Sequence, residues 1–274
     1  MFSWKMQIMK SKFSKSRFLN NKLVVRSFWT LLLLAVWEVV ALSGAFSPVI
    51  FPSLETVAIE LLASVINGEI INDTFFSLVL IMKGLIIGIA AAALLSSLSI
   101  ASKAFGGFVD TLTAFAHPLP GIAILPLVII WFGIGTESII FIIVHSVMWP
   151  LVLNLLAGFK SIPAVYKEVG QNFGLNSYLM IKDVLFPASM PYLLAGLRIG
   201  WARSWRALIS AEMIFGAAGG KGGLGWFIFK QRVFMDTAGI FAGLVVIIII
   251  GIVVEDVVFG KIEKMTVKKW GMMS

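Results

Sequence analysis

The chain has 274 residues, of which 59% are apolar and 13% charged, with a formal net charge of +8 and no cysteine. A soluble domain carries about a quarter of its residues as charges, so this composition excludes a water-soluble protein and leaves no room for a large soluble domain. Disulfide frameworks and thiolate metal sites are excluded too, and His117 and His145 have no partners at ligand spacing, so neither a metal nor another cofactor is expected.

Residues 1–27 form a basic segment with Lys5, Lys10, Lys12, Lys15, Arg17, Lys22 and Arg26. The first apolar window, 28–46, carries Glu38 and lacks a small-residue cleavage site, so it is expected to be a retained span and not a signal peptide. Phe51 to Ile71 mixes apolar residues with acids after Pro52 and Ser53 and predicts a short amphipathic helix on the outer surface. Window 74–101 places Gly84, Gly88, Ala92 and Ser96 along one stripe, which lets another backbone come close.

Window 106–132 contains Pro118, Pro120 and Pro126, each of which removes a backbone donor. A broken span lining a cavity is expected there. Window 138–158 is followed by a polar island, Lys160 to Pro187. In it Pro163 can open a helix, Gly174 can end it in the left-handed conformation, and a second helical segment starts at Ser177.

Window 188–216 repeats the small stripe with Gly196, Gly200 and Ser204, and carries Arg198, Arg203, Arg206 and Glu212. A central arginine costs about 2.5–3.5 kcal/mol on insertion, whereas each Leu or Ile returns only about 0.3–0.6. The arginines must therefore snorkel, pair or line a wet cavity. At 100° per residue Arg203 and Arg206 share a face while Glu212 lies on another. Two readings stay open: Arg203, Arg206 and Glu212 belong to an electropositive path for an anion, or they orient and pack the helix.

Window 238–258 and the basic tail 261–274 complete the chain, giving six transmembrane helices by length. Lysine and arginine concentrate in the connections that share a side with the N-terminus, which puts both termini and the island in the cytoplasm. Basic anchors on an anionic leaflet account for the net charge without nucleic acid. The run FGAAGGKGG at 215–223 is not a phosphate loop, because Phe215 and Gly222 stand where that motif needs Gly and Ser or Thr.

The island has Glu168-Val169-Gly170, then Gly174, then Val184, Phe186 and Pro187. This spacing resembles the cytoplasmic signature of permease subunits of binding-protein-dependent ABC importers, with Val169 and Gly170 for its two alanines, Val184 for Ile and Phe186 for Leu. HPLPGIAILPLVIIWFGIGTES at 117–138, NLLAGFKSIP at 154–163 and PASMPYLLAGLRIGWARSWRALISAEMIFG at 187–216 look like the nitrate, sulfonate and taurine branch. The resemblance covers about residues 28–260.

It implies the type I importer fold, with a coupling helix that docks on a separate ABC ATPase through Glu168, Val169, Gly170, Gly174 and Pro187. It also implies an extracytoplasmic solute-binding protein, a second permease copy in a homodimer, and no bond chemistry in this chain. The competing class is a stand-alone secondary transporter, which calls for ion-coupling groups and inverted repeats.

Overall fold

The computed structural model describes residues 22–216 and 222–269, and over them the chain is helical with short connections. An apolar run away from water must satisfy its backbone N–H and C=O groups internally, and a helix does so locally. Helix α1 spans Lys22–Leu42, α2 Leu54–Ile66 and α3 Glu69–Ala101. A 3-10 turn, Gly121–Ile124, separates α4 (Lys103–Ala116) from α5 (Leu125–Phe132). There follow α6 (Thr136–Ser161), α7 (Ala164–Asn172), α8 (Phe186–Phe215) and α9 (Leu224–Val233). The last helix, α10, runs Thr237–Lys268 through stretches of wider π-type turns.

Among the described residues four helices are long and apolar enough to cross a membrane: Val24–Leu42, Glu69–Ala101, Thr136–Ser161 and Thr237–Lys268. The number becomes five if α4 and the segment Gly121–Phe132, bent by 90° at their junction, cross as one span. The expected six transmembrane helices are thus corrected to four, or up to five. Window 106–132 breaks where Pro118 and Pro120 withhold donors. Window 188–216 does become a helix, α8, whose 30 residues reach about 45 Å at 1.5 Å per residue. Counting by length admits it; its three arginines and Glu212 exclude it. Residues 1–21, Lys221 and the end of the basic tail, 270–274, lie outside the described residues.

The core is built around α6. On one side a Cβ on Gly84 or Gly88 of α3 would fall on Ile143 or Val147, and on the other a Cβ on Gly200 of α8 would lie 2.6 Å from Val147. Ser204 of α8 donates its hydroxyl hydrogen to the Ile143 carbonyl at 3.1 Å. Both small-residue stripes therefore let helices of the same chain approach α6 closely, and close packing, not apolar transfer alone, holds helices together in lipid. Ile139, Ile142, Ile143, Leu151 and Val152 of α6 are fully buried as a result.

Helix α1 is peripheral, with Phe28, Leu31, Leu33, Val36 and Val39 exposed. It is tied on at two levels: near its start Arg26 pairs with Asp256 of α10, and near its end it meets the segment before α2. Trp37 donates to the Pro52 carbonyl at 3.0 Å and its ring lies 4.6 Å from that of Phe241.

Candidate translocation and coupling sites

Two acids of the apolar helices serve as caps for neighbouring helices. The first four N–H groups of a helix have no partner within it, and a carboxylate there also meets the positive end of the helix dipole. Glu38 of α1 accepts from Leu54 N–H at 2.8 Å, at the start of α2. Glu212 of α8, 1% exposed, accepts from Gly225 N–H at 2.9 Å in the first turn of α9. Ser77 of α3 closes the same arrangement: its hydroxyl donates to Glu212 at 2.7 Å and accepts from Leu224 N–H at 2.9 Å.

Glycines make room for this clasp. A Cβ on Gly223 would fall on the Glu212 carboxylate, and one on Gly225 would fall on the Ile209 carbonyl. Three helices thus meet at one buried, satisfied charge. Ser77 carries no charge and lies on α3, 135 positions from Glu212. The only signal for it in the sequence is that it stands seven residues before Gly84, extending the small stripe of α3.

The three arginines of α8 have three different fates. Arg198 donates to Glu263 at 2.7 Å, lies 3.6 Å from Glu255 and sits 5.8 Å from the Phe259 ring centroid, so acids of α10 hold it. Arg203 donates to the His117 carbonyl at 3.0 Å and to its Nδ1 at 3.3 Å. Since guanidinium only donates, that ring nitrogen is the acceptor. Arg206, exposed, donates through Nε to the Ala202 carbonyl of its own helix at 3.0 Å. Among the described residues neither Arg203 nor Arg206 has a carboxylate within ion-pair distance.

Arg203 and Arg206 line one cleft of about 240 Å³, together with Pro120, Gly121, Ile122, Ser146, Ala207 and Ser210. The break in the third window makes it: the chain bends by 90° at Pro118–Pro120 and the following turn lies against α6 and α8, where Gly121 leaves just enough room for Ser146. Glu212 does not line this cleft. The structure brings the two arginines together and sends the acid to the α9 clasp.

The other candidate residues sit on α7 and its exit. Pro163 precedes the helix, and Gly174, at φ +74°, ends it. Gly174 N–H donates to the Gln171 carbonyl at 2.9 Å and Leu175 N–H to that of Gly170 at 3.0 Å, the paired bonds of a Schellman termination. Asn176 then accepts from Leu179 N–H at 2.9 Å and starts the next helical segment.

Glu168 and Val169 face solvent, while Gly170 is buried because the Met180 thioether lies over it, 2.6 Å from where a Cβ would stand. Val165, Tyr166, Val169 and Phe173 are 55%, 52%, 46% and 80% exposed. Their spacing puts them on one face of α7. Pro187, in the first turn of α8, and Tyr166 both border a hollow of about 410 Å³ under that helix.

Residues 84–266 match the family described as binding-protein-dependent transport system inner membrane component. The chain is 31% identical to the taurine transport system permease protein TauC of Escherichia coli over 247 residues, covering 88% of each chain. It is 29% identical to an ABC transporter permease protein of Methanocaldococcus jannaschii, covering 86% of this chain and 88% of the other. It is also 30% identical to the nitrate import permease protein NrtB of Synechocystis over 62% of this chain and 59% of the relative. The multi-pass helices, the arginine-lined cleft and the shaped α7 turn thus belong to a chain of this family: it is a permease subunit of an ABC importer, non-catalytic, in the branch related to nitrate, sulfonate and taurine transport systems.

Proposed function

We propose that this permease moves a small anion of the sulfonate, taurine or nitrate kind inward across the cytoplasmic membrane, driven by a separate ABC ATPase and supplied by an extracytoplasmic solute-binding protein. Residues 28–260 form the permease domain, and both termini and the 160–187 segment face the cytoplasm, as the distribution of lysine and arginine favours. A second copy completes the path in a homodimer. Arg203 and Arg206 border that path, and Glu212 contributes by fixing α9 beside it.

The observation that carries the reading is the apolar face of α7. Val165, Tyr166, Val169 and Phe173 are exposed on a helix whose end is fixed by Gly174, within a segment rich in polar residues. A contiguous apolar patch rimmed by polar groups fits a protein partner, and Glu168 adds a charge beside it. ATP-driven closure of two ATPases would draw two such helices together and rock the bundles to which α7 is joined through α6 and α8.

Gly174→Pro or Glu168→Arg should leave membrane insertion intact and reduce co-purification of the ATPase at least fivefold, with hydrolysis uncoupled from uptake. Wild-type co-purification and uptake in both variants would overturn the docking assignment.

A further inference from the structure

We propose that the cleft between the Pro120–Ile122 turn and α8 is a binding station for a single oxyanion group, so that the permease itself selects its solute by charge. The inference rests on the importer reading above and deepens it: it names the chemical group recognised inside the membrane subunit.

Three observations, two on α8 and one on α6, meet there. Arg203 and Arg206 line the cleft without a carboxylate partner among the described residues. Glu212, six residues beyond Arg206 on α8, is withdrawn from it by Ser77 and the first turn of α9, so it does not neutralise them. Ser146 of α6 borders the same space although only 4% exposed. Two cations and a hydroxyl at the wall of a concave site suit a sulfonate, a carboxylate or nitrate, each of which offers several acceptor oxygens in a small head.

The two arginines divide the work. Arg203 is held by the His117 carbonyl and sets the local charge, whereas Arg206 spends Nε on its own helix and its terminal N–H groups have no partner among the described residues. A space of about 240 Å³ admits a small acid. A neutral solute of the same shape would leave both guanidinium charges unanswered, which disfavours it.

The test uses the permease–ATPase complex purified in detergent with the binding protein omitted, and measures equilibrium dialysis of labelled ethanesulfonate, with nitrate as competitor and dimethyl sulfone as the uncharged control. Saturable binding of ethanesulfonate that nitrate displaces is expected, with none for dimethyl sulfone. Arg206→Gln should weaken it at least tenfold, Arg206→Lys less than threefold, and Ser146→Ala about threefold.

In reconstituted vesicles with the binding protein, Arg206→Gln should lower uptake while ATPase association and unfolding temperature stay at wild-type values. Equal binding by wild type and Arg206→Gln, or no saturable binding by wild type, would overturn the station while leaving ATPase coupling intact. Failure of the wild-type chain to associate with the ATPase would instead overturn the importer reading.

Discussion

Two stretches of α8, less than three turns apart, treat charge in opposite ways. Glu212 is sealed from solvent, and every hydrogen bond described for it ties α8 to another helix. Arg206 is exposed at a cleft and, among the described residues, bonded only to its own helix. The first arrangement uses a charge to fix a helix start, and a buried charge persists only when hydrogen bonds replace its water. The second leaves a charge unspent, which costs insertion energy and returns nothing to the fold. An isolated structure gains from the first and not from the second; a transport path for anions gains from both.

This contrast predicts the largest difference between variants. Glu212→Ala should remove the acceptor of Gly225 N–H and one partner of Ser77, and each buried group left unsatisfied costs about 1–3 kcal/mol. Loss of several kcal/mol is expected, seen as failure to purify a monodisperse protein or as a large drop in unfolding temperature. Glu212→Gln keeps an acceptor oxygen and should lose much less. Arg206→Gln should change stability by less than about 1 kcal/mol, as exposed charges generally do. If Glu212→Ala and Arg206→Gln melted alike, the division between a structural and an unspent charge would be wrong.

Glycines sharpen the same point at a lower magnitude. Gly225→Ala would drive a methyl group into the Ile209 carbonyl, and backbone cannot rotate out of the way as a side chain can. Overpacking of this kind costs about 1–3 kcal/mol, occasionally more, and here it also pulls α9 off Glu212. Gly174→Ala meets nothing within 4 Å, so its cost is conformational only, about 1–2 kcal/mol for a left-handed residue with a Cβ. Thermal unfolding should rank Gly225→Ala below Gly174→Ala, while ATPase co-purification should rank them the other way.

What could be read without coordinates follows the same line between local and distant causes. The turn at Gly174, the helix before it and the small stripes on α3 and α8 depend on neighbours within one or two turns, and spacing reveals them. The clasp depends on Ser77 meeting Glu212 across 135 positions, and the cap on α2 depends on Glu38 reaching back from the end of another helix. No periodicity encodes either pairing. The span count failed for a related reason: α8 has the length of a crossing helix but carries three arginines and Glu212, and a window ranked by length registers only the first property. The arginines were visible as an anomaly, but that Arg198 would be taken by Glu263 and Arg206 left free required the position of α10.

The smallest predicted effect lies at Gly170, where the obstruction to a side chain is itself a side chain. A Cβ there would stand 2.6 Å from the Met180 Cε and 3.3 Å from a Leu175 methyl. Alanine in a helix interior is favoured over glycine by about 1 kcal/mol, and methionine, unbranched with three rotatable bonds, yields more cheaply than a carbonyl. The two effects nearly cancel, so Gly170→Ala should move the unfolding temperature little in either direction. Replacing Met180 by Ala removes the obstruction, and on that background Gly170→Ala should become stabilising by about 1 kcal/mol, the helix-propensity gain. A stabilisation equal on both backgrounds would mean that the thioether does not rest on Gly170, and that α7 is free of the segment leading into α8. The absence of stabilisation on either would mean that Gly170 is held by backbone, as Gly225 is, and the distinction between the α7 turn and the clasp would disappear.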